Sequence, residues 1–470
     1  MSKRPSTLGA LKETGYRSKT TKRELRDNLH QRLAEGAQLF PGILGYDRTV
    51  IPQISNAILA QHDFILLGLR GQAKTRLLRS LVPLLDENIP VLQGSPLNDD
   101  PLNPASIWGQ QRIAEAGDDS PVDWLPREAR YNEKLATPDV SIADLLGDID
   151  PIKAATRKLT YADPEVIHFG IVPRTNRGIF AINELPDLAP RIQVGLLNIL
   201  EERDLQIRGF PIRIPLDILM VFSANPEDYT NRGSIITPLK DRISSQILTH
   251  YPQDVEIAAE ITRSEAWTDR DSAEVVITAA FERILEEITF AARESDLVDQ
   301  SSGVSARLSI AAKELLVSNL ERRGLSTGES RVYPRICDLN MLLPAITGKL
   351  EIVYEGEQRG VEVVAQQLIG EAVRKSFLES FPEVGRELGS GGEADTGPYA
   401  EILKWFMAGN DVLISDDQPF DEYVACLHCV PTLKDLADSY GSTREERALA
   451  AELILEGLHL HLKLAREDLD

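Results

Sequence analysis

Apolar residues in the first half of the chain form short runs that alternate with helical patterns. The run at residues 63–67 predicts a buried strand, and a glycine-rich turn and a helical pattern over residues 75–85 follow it. Apolar runs at residues 178–182 and 216–222 predict two further strands. Strands that are apolar on both faces and alternate with helices are typical of a parallel α/β sheet.

The pattern changes near residue 251, where the strand signals fade and helical periodicity takes over. Residues 254–264, 273–294 and 304–323 predict helices, so we expect an all-helical domain after the sheet. Residues 389–398 have the composition of a linker, and amphipathic helices follow them.

The composition narrows the class of protein. Of 470 residues, 42% are hydrophobic and 26% are charged, which excludes a disordered, collagen-like or disulfide-framed chain. We find no apolar run as long as a membrane span and no secretory signal near the start. With three cysteines as well, the sequence predicts a protein of a reducing compartment, the cytoplasm.

Charge is unevenly distributed. Residues 1–33 carry nine basic and three acidic side chains, whereas the whole chain has a net charge of −22. An acidic body repels phosphate backbones, so we do not expect long nucleic acid as the main substrate. The basic arm has three interpretations: a segment that docks on an acidic neighbouring subunit, a solvated tail, or an organelle-targeting peptide, of which we favour the first two.

The strongest chemical signal is the turn after the first strand. Residues 68–75 read GLRGQAKT, which departs from the pattern G-x-x-x-x-G-K-[ST] because Ala73 stands at the last glycine. In such a loop, backbone N–H groups surround phosphates, Lys74 reaches the β and γ phosphates, and the Thr75 hydroxyl holds Mg²⁺. The alternative is an ordinary strand-to-helix turn with a capping threonine. The candidate ATP-binding residues are Gly68, Gly71, Gln72, Ala73, Lys74 and Thr75.

Two later strand ends carry polar side chains. Asn183 and Glu184 follow the strand at 178–182, where a nucleoside triphosphatase needs one carboxylate for the water shell of the metal and another for the attacking water. Glu184 suits the second role. Asn183 is neutral, but its amide oxygen accepts hydrogen bonds from metal-bound water, so we expect a weakened Mg²⁺ site.

The third strand, at 216–222, is followed by Ser-Ala-Asn-Pro, and Asn225 is a candidate to hold the γ phosphate or the lytic water. An asparagine before proline is otherwise a turn former.

Taken together, these motifs resemble those of AAA+ ATPases. Residues 68–75, 182–184, 223–225 and 238–242 resemble the Walker A, Walker B, sensor 1 and arginine-finger motifs of that family. Residues 170–178 and 302–308 resemble the magnesium chelatase I subunit and the MoxR group in particular. The resemblance covers roughly residues 40–348.

The resemblance implies roles for four further residues. Arg242 would be the arginine finger that reaches a neighbouring subunit's site, and Arg307 the sensor 2 arginine. Gly45 and Tyr46, within residues 42–46, resemble the segment that packs on adenine. Residues 137–150 resemble the start of the insertion in helix 2, and residues 205–214 resemble the presensor hairpin.

The implied fold is α/β: a P-loop AAA+ core with a parallel sheet flanked by helices, followed by an all-helical lid and a helical C-terminal extension. The expected domains are a basic arm (1–37), the ATPase core (38–250), the lid (251–355) and the extension (356–470), with the nucleotide between core and lid. The resemblance also implies ATP and Mg²⁺ as cofactors and a homo-oligomeric ring, a hexamer. It further implies a partner with a von Willebrand factor A domain, which ATP turnover would remodel for metal insertion or protein maturation.

Two other functions stay open at this stage. The neutral Asn183 would suit a nucleotide-gated switch that scarcely hydrolyses ATP, and related ATPases with such hairpins act on nucleic acid. Cys426 and Cys429, with His428 between them, form half of a zinc pattern without a second half, so we interpret them as core cysteines of a helix. Asp99 and Asp100 are expected in a solvated loop.

Overall fold

The computed structural model of the chain describes residues 4–150, 152, 156, 166–206, 213–226, 233–270, 273–381, 397–461 and 463–466. The chain divides into two compact units, residues 1–250 and 251–470. The predicted linker at 389–398 lies almost wholly outside the described residues, as does the turn of the predicted hairpin at 205–214.

A five-stranded parallel sheet organises the first unit. The strands of this unit are β1 (Phe64–Leu67), β2 (Asn88–Leu92), β3 (Val122–Pro126), β4 (Tyr131–Leu135), β5 (Gly147–Ile149), β6 (Ile167–Phe169), β7 (Gly178–Asn183), β8 (Asp204–Gln206), β9 (Arg213–Pro215), β10 (Ile218–Ala224) and β11 (Ser245–Leu248). The order in the parallel sheet is β11-β1-β10-β7-β4. Small antiparallel pairs, β2 with β3, β5 with β6 and β8 with β9, lie outside it.

Helices cover both faces of this sheet. In the described part of the first unit they are α1 (Leu8–Glu13), α2 (Thr21–Ala34), α3 (Val50–Leu59), α4 (Lys74–Arg79), α5 (Ile107–Ala116), α6 (Ile142–Leu145), α7 (Ile171–Arg174), α8 (Pro190–Glu201) and α9 (Thr237–Arg242). The helix expected over residues 75–85 is shorter than predicted, because a turn after Ser80 leads into a 3-10 helix at Val82–Leu84.

Alternate side chains of β1 enter two different cores. Phe64 and Leu66 pack in one core with residues of α2 and α3, whereas Ile65 and Leu67 pack in the other with residues of α8. All four are buried. Burial on both faces explains why the strand is a continuous apolar run, and it confirms the predicted α/β class with a parallel sheet flanked by helices.

The N-terminal segment is folded onto this unit. In α2, the Lys22 ammonium lies 2.6 Å from a carboxylate oxygen of Asp63, and the Glu24 carboxylate binds the Arg130 guanidinium at 2.7 Å through both oxygens. All four side chains are buried. The interpretation of the arm as a solvated tail is therefore wrong, because α2 packs on the unit and two of its charged side chains, Lys22 and Glu24, are paired inside the protein.

The second unit is mainly helical. Its helices are α10 (Val255–Glu265), α11 (Ala279–Glu294), α12 (Arg307–Thr327), α13 (Leu343–Thr347), α14 (Tyr354–Arg359), α15 (Val361–Ser380), α16 (Ala400–Met407), α17 (Phe420–His428), α18 (Leu433–Asp438) and α19 (Arg444–Leu460). The expectation of a purely helical lid is wrong in one detail: β12 (Glu274–Val275) pairs in parallel with β13 (Arg331–Val332). A two-residue strand is too short to give a recognisable pattern in the sequence.

One hydrophobic core runs through the second unit. It contains Phe281 and Leu308 from the segment expected to form the lid, and Phe377, Leu427 and Ile454 from the segment expected to form the extension. In this unit the residues on either side of position 355 therefore share their core.

Candidate nucleotide-binding site

Three strands of the sheet end at the same edge. Leu67 of β1 is opposite Ala224 of β10, and Phe222 of β10 is opposite Ile182 of β7. The residues that follow, Gly68, Asn183 and Asn225, therefore leave the sheet side by side. Ligands of open parallel sheets bind at this carboxyl edge, at the point where the strand order reverses, and β1 lies at that point between β11 and β10.

The loop after β1 packs closely against neighbouring side chains. A Cβ atom on Gly68 would lie 1.9 Å from the Thr249 hydroxyl oxygen and 2.1 Å from a side-chain oxygen of Gln72, so no larger residue fits there. Gly71 has φ +72° and Ala73 has φ +55°, both in the left-handed region. The loop thus has the left-handed backbone conformation for which the pattern favours glycine, and Ala73 adopts this conformation although it has a Cβ.

Gln72 faces the interior. Its side chain is buried, and the side-chain amide oxygen accepts a hydrogen bond from the Thr249 hydroxyl at 2.7 Å. Thr249 follows β11, and its N–H donates to the Leu67 carbonyl at 2.7 Å. The side chain of Gln72 therefore anchors the loop to the sheet through Thr249.

Lys74 begins α4 and is 8% exposed. Its Nζ donates to the carbonyl oxygens of Gly68 at 2.5 Å and of Leu69 at 2.9 Å, so the ammonium is held inside the curve of the loop. A buried ammonium of this kind can donate hydrogen bonds to phosphate oxygens.

Asn183 is the last residue of β7 and is 8% exposed. Its Oδ1 accepts a hydrogen bond from the Ser223 hydroxyl at 3.0 Å and lies 3.5 Å from the Thr75 hydroxyl. The structure therefore brings Thr75 and Asn183 together, as their expected roles require.

Glu184 follows directly and is half-buried, with a left-handed backbone at φ +56°. Its N–H donates to the Ser223 hydroxyl oxygen at 3.4 Å. A left-handed conformation costs an L-residue about 1–2 kcal/mol, and it turns the chain sharply at the end of the strand. Asn225, the first residue after β10, is also 8% exposed.

Magnesium prefers oxygen ligands and usually takes one or two carboxylates from the protein. The Thr75 hydroxyl, the Asn183 amide oxygen and the Glu184 carboxylate are oxygen donors at this one edge. They fit Mg²⁺ with a neutral amide in place of one carboxylate. Among the described residues, no group of three or more His, Cys, Asp and Glu side chains could hold a metal by itself, the Cys426 region included.

Tyr46 has a different environment from the one that adenine packing implies. It is 5% exposed, and its hydroxyl lies 3.0 Å from the Gln72 carbonyl oxygen and 2.7 Å from that of His250. Its ring meets the His250 ring edge to face, with centroids 5.0 Å apart. The Tyr46 hydroxyl thus fixes the loop through the Gln72 carbonyl. Gly45, at φ +79°, forms the turn that precedes Tyr46.

Arg242 and Arg307 belong to elements other than the three strand ends. Arg242 ends α9, where its guanidinium pairs with the Glu201 carboxylate at 2.5 Å and donates to the Pro238 carbonyl at 2.9 Å. Arg307 belongs to the second unit, where it is the exposed first residue of α12.

Asp99, expected in a solvated loop, is fully buried. Its carboxylate accepts hydrogen bonds from the hydroxyls of Ser95 at 2.7 Å and Ser106 at 2.5 Å and from the Ser106 N–H at 2.8 Å. The expectation is wrong because the aspartate caps the turn before α5 from inside.

Sequence reasoning did not identify Ser223 or Thr249 as site residues. Both are small hydroxyl residues at or after a strand end, and their contacts depend on which strands are neighbours. The signal for Ser223 is a polar residue at the end of an otherwise apolar strand.

No protein-family profile matches the chain, and no curated protein matches it. No described helix is long and apolar enough to span a membrane. Among solved structures, the chain is similar to a cryo-EM-based model of the complex between subunits BchI and BchD of magnesium chelatase. That chain is 20% identical with a TM-score of 0.35, and the match covers 68% of this chain and 98% of that one.

Two further structures are similar. A candidate ATPase from Cytophaga hutchinsonii is 17% identical, with a TM-score of 0.30 and coverage of 76% of this chain and 96% of that one. NtrX from Brucella abortus is 14% identical, with a TM-score of 0.35 and coverage of 66% and 56%.

Proposed function

We propose that this chain is an AAA+ ATPase of the magnesium chelatase I and MoxR type, which binds ATP on the loop formed by residues 68–75 and hydrolyses it. One observation supports this most directly. Three strands end together at the sheet's carboxyl edge, with Asn183 and Asn225 at the ends of β7 and β10. The loop that follows β1 leads into α4, which begins with the buried Lys74 followed by Thr75, and the Thr75 hydroxyl lies 3.5 Å from the Asn183 amide oxygen.

In the proposed mechanism, the N–H groups of the loop and the Lys74 ammonium bind the phosphates. Mg²⁺, when bound, would neutralise charge on the phosphate oxygens. Glu184 orients and deprotonates the attacking water, and Asn225 holds that water or the γ phosphate. Arg242 of a neighbouring subunit stabilises the charge that develops on the transferred phosphoryl group, and Arg307 contacts the nucleotide from its own subunit.

An arginine finger that acts between subunits requires a ring, and we propose a hexamer. Turnover would then remodel a partner protein in the cytoplasm, with a von Willebrand factor A domain as the expected feature of that partner. Metal insertion and protein maturation are the two outcomes that the resemblance suggests. The net charge of −22 argues against nucleic acid as the substrate.

A nucleotide-gated switch is the second candidate, and one observation favours it. The neutral amide of Asn183 has its oxygen engaged by Ser223, which leaves the metal site with less acceptor capacity than a carboxylate would give. In that case ATP would bind and be hydrolysed slowly.

Phosphate release at steady state tests the proposal and separates the candidates. We expect ATP-dependent release by the parent that DNA does not stimulate. The Glu184→Gln variant should bind ATP but release no phosphate, because it lacks the base. Equal rates for the parent and Glu184→Gln would exclude Glu184 as the base. ATP binding without release by the parent would favour the switch, and stimulation by DNA would favour a nucleic-acid motor.

A further inference from the structure

Ser223 contacts both Asn183, the last residue of β7, and Glu184, which follows it. Its side chain is 1% exposed in β10, and its hydroxyl donates to the Oδ1 of Asn183 at 3.0 Å. The hydroxyl oxygen of Ser223 in turn accepts a hydrogen bond from the backbone N–H of Glu184 at 3.4 Å. A single buried hydroxyl therefore contacts both the neutral residue of the metal site and the backbone of the proposed base.

Because the asparagine side chain is asymmetric, this contact affects which end of the amide faces Thr75. An amide has one acceptor oxygen and one donor nitrogen, whereas a carboxylate presents two equivalent oxygens. The Thr75 hydroxyl lies 3.5 Å from the Oδ1 of Asn183 and can donate to it. If the amide were turned over, an NH₂ group would face Thr75 and could not accept that proton.

We propose that Ser223 is a positioning residue that fixes the amide of Asn183 with its oxygen toward Thr75. This inference rests on the proposed function, since it concerns how the ATP site uses Mg²⁺. Because Thr75 is the expected Mg²⁺ ligand, its hydroxyl proton needs an acceptor when the oxygen turns to the metal. Ser223 keeps that acceptor in place, so the hydroxyl of a residue outside the loop controls the benefit that Mg²⁺ gives to nucleotide binding.

The test is an equilibrium titration of a fluorescent ATP analogue, once in excess Mg²⁺ and once in EDTA. The ratio of the two dissociation constants measures the benefit from Mg²⁺. For Ser223→Ala, we expect this ratio to fall about two- to tenfold, which corresponds to the loss of one hydrogen bond. Affinity in EDTA should stay within about twofold of the parent, because the loop and Lys74 are untouched.

Two variants at the same position and one elsewhere serve as controls. Ser223→Thr keeps the hydroxyl and should retain the parent's ratio, while Ser223→Cys keeps the size with a weaker donor and should lower it. Ser55→Ala removes another buried hydroxyl, which donates to the Ile51 carbonyl at 2.8 Å in α3, and should leave the ratio unchanged. Thermal unfolding of each variant shows whether it is folded. If Ser223→Ala is unfolded, Ser223→Cys replaces it as the test variant.

A second background tests the argument about asymmetry. In Asn183→Asp, either carboxylate oxygen can accept from Thr75, so adding Ser223→Ala should change the ratio by no more than about twofold. A tenfold effect in that background would overturn the proposal, because the orientation of an amide would not be its cause.

Failure of this inference differs from failure of the proposed function. If the parent does not bind the analogue in either condition, the proposed function fails. If the parent binds it more tightly with Mg²⁺ and Ser223→Ala keeps the same ratio, Ser223 is structural and only the positioning role is withdrawn. A fall in affinity that is equal with Mg²⁺ and in EDTA has the same meaning.

Discussion

Ala73 holds a left-handed conformation, φ +55°, in the loop where the glycine-rich pattern has its last glycine. The side chain is exposed, so its Cβ costs backbone strain without gaining packing. The neighbouring Gly71 reaches a similar φ of +72° without that cost.

We predict that Ala73→Gly keeps nucleotide binding and changes the free energy of unfolding by less than about 1 kcal/mol, because relief of strain offsets the extra freedom of the unfolded chain. Ala73→Val should weaken binding and destabilise the fold, since a β-branched side chain is disfavoured at positive φ. Thermal unfolding and analogue titration measure both effects. Tight binding by Ala73→Val would show that this backbone conformation is not needed.

The residues that could be predicted from the sequence stand directly after a strand or in the glycine-rich segment that follows one. Glu184 comes directly after an apolar run, and Lys74 and Thr75 end the segment at 68–75, so local pattern was enough to select them. The partners of Ser223 and Thr249 could not be predicted. Ser223 lies 40 residues from Asn183 and Thr249 lies 177 residues from Gln72, and the strand order β11-β1-β10-β7 brings them together.

Among the elements, α2 binds to the sheet at the edge where its strands begin. Thr21 at its start donates its N–H to both carboxylate oxygens of Asp217, at 2.9 and 2.8 Å, and Glu24 pairs with Arg130. Asp63 and Asp217 precede β1 and β10, and Arg130 precedes β4. The helix therefore bonds to three strand beginnings, and a charge count along the sequence gave no sign of this.

We predict that Arg130→Ala lowers the free energy of unfolding of the first unit by about 3–5 kcal/mol, because it leaves the Glu24 carboxylate buried without its cation. Lys12→Ala is the matched control. Its pair with Asp118 is exposed, with 52% and 67% of the two side chains accessible, and should contribute at most about 1 kcal/mol. Urea unfolding measures both, and equal losses would contradict a buried role for the pair.

Helix α19 carries a fully buried carboxylate in the second unit. Glu452 accepts hydrogen bonds from the N–H groups of Ile336 at 2.7 Å and Cys337 at 3.0 Å and from the Tyr423 hydroxyl at 2.7 Å. Burial raises the pKa of Glu452 from 4.5 to about 7, although these three donors oppose the shift.

This pKa gives a pH dependence with a definite sign. Between about pH 4.5 and 7 the folded state holds a proton that the unfolded state has lost, so the contribution of Glu452 to stability falls as the pH rises through that window, by about 3 kcal/mol in all. Glu452→Gln cannot titrate. We predict that this variant gains stability relative to the parent between pH 5.5 and pH 8, as measured by urea unfolding.

Glu422→Gln, at an exposed position of α17, is the control and should show no such change. A constant difference between the parent and Glu452→Gln at all pH values would contradict the raised pKa of Glu452.

At the scale of the whole molecule, the proposal requires subunits that complete one another's sites. Arg242 pairs with Glu201 in its own subunit, where 28% of its side chain is exposed. An exposed ion pair contributes at most about 1 kcal/mol, whereas an arginine finger is worth about three to five powers of ten in rate. The two roles therefore differ enough to be separated.

We predict that Arg242→Ala binds ATP normally but does not hydrolyse it, while Glu201→Gln, which removes the partner and keeps the arginine, still hydrolyses. Mixing Arg242→Ala with Lys74→Ala should restore some phosphate release, because a mixed ring has interfaces where an intact Lys74 faces an intact Arg242. Light scattering with ATP is the control for ring formation. No rescue in rings shown to be mixed would end the between-subunit mechanism.

Every role proposed for the site requires that residues 68–75 bind a nucleotide. The most direct measurement is an equilibrium titration of a fluorescent ATP analogue, in excess Mg²⁺, into the parent and into Lys74→Ala. Lys12→Ala is the control for removal of a lysine elsewhere in the same unit.

In the proposed site Lys74 supplies the charged hydrogen-bond donor at the phosphates, and such bonds are worth about 1.5–3 kcal/mol each. We therefore predict saturable binding to the parent and to Lys12→Ala that unlabelled ATP displaces, and affinity at least about tenfold weaker for a folded Lys74→Ala. Equal affinity of Lys74→Ala and the parent would contradict it, because the loop would then be a structural turn.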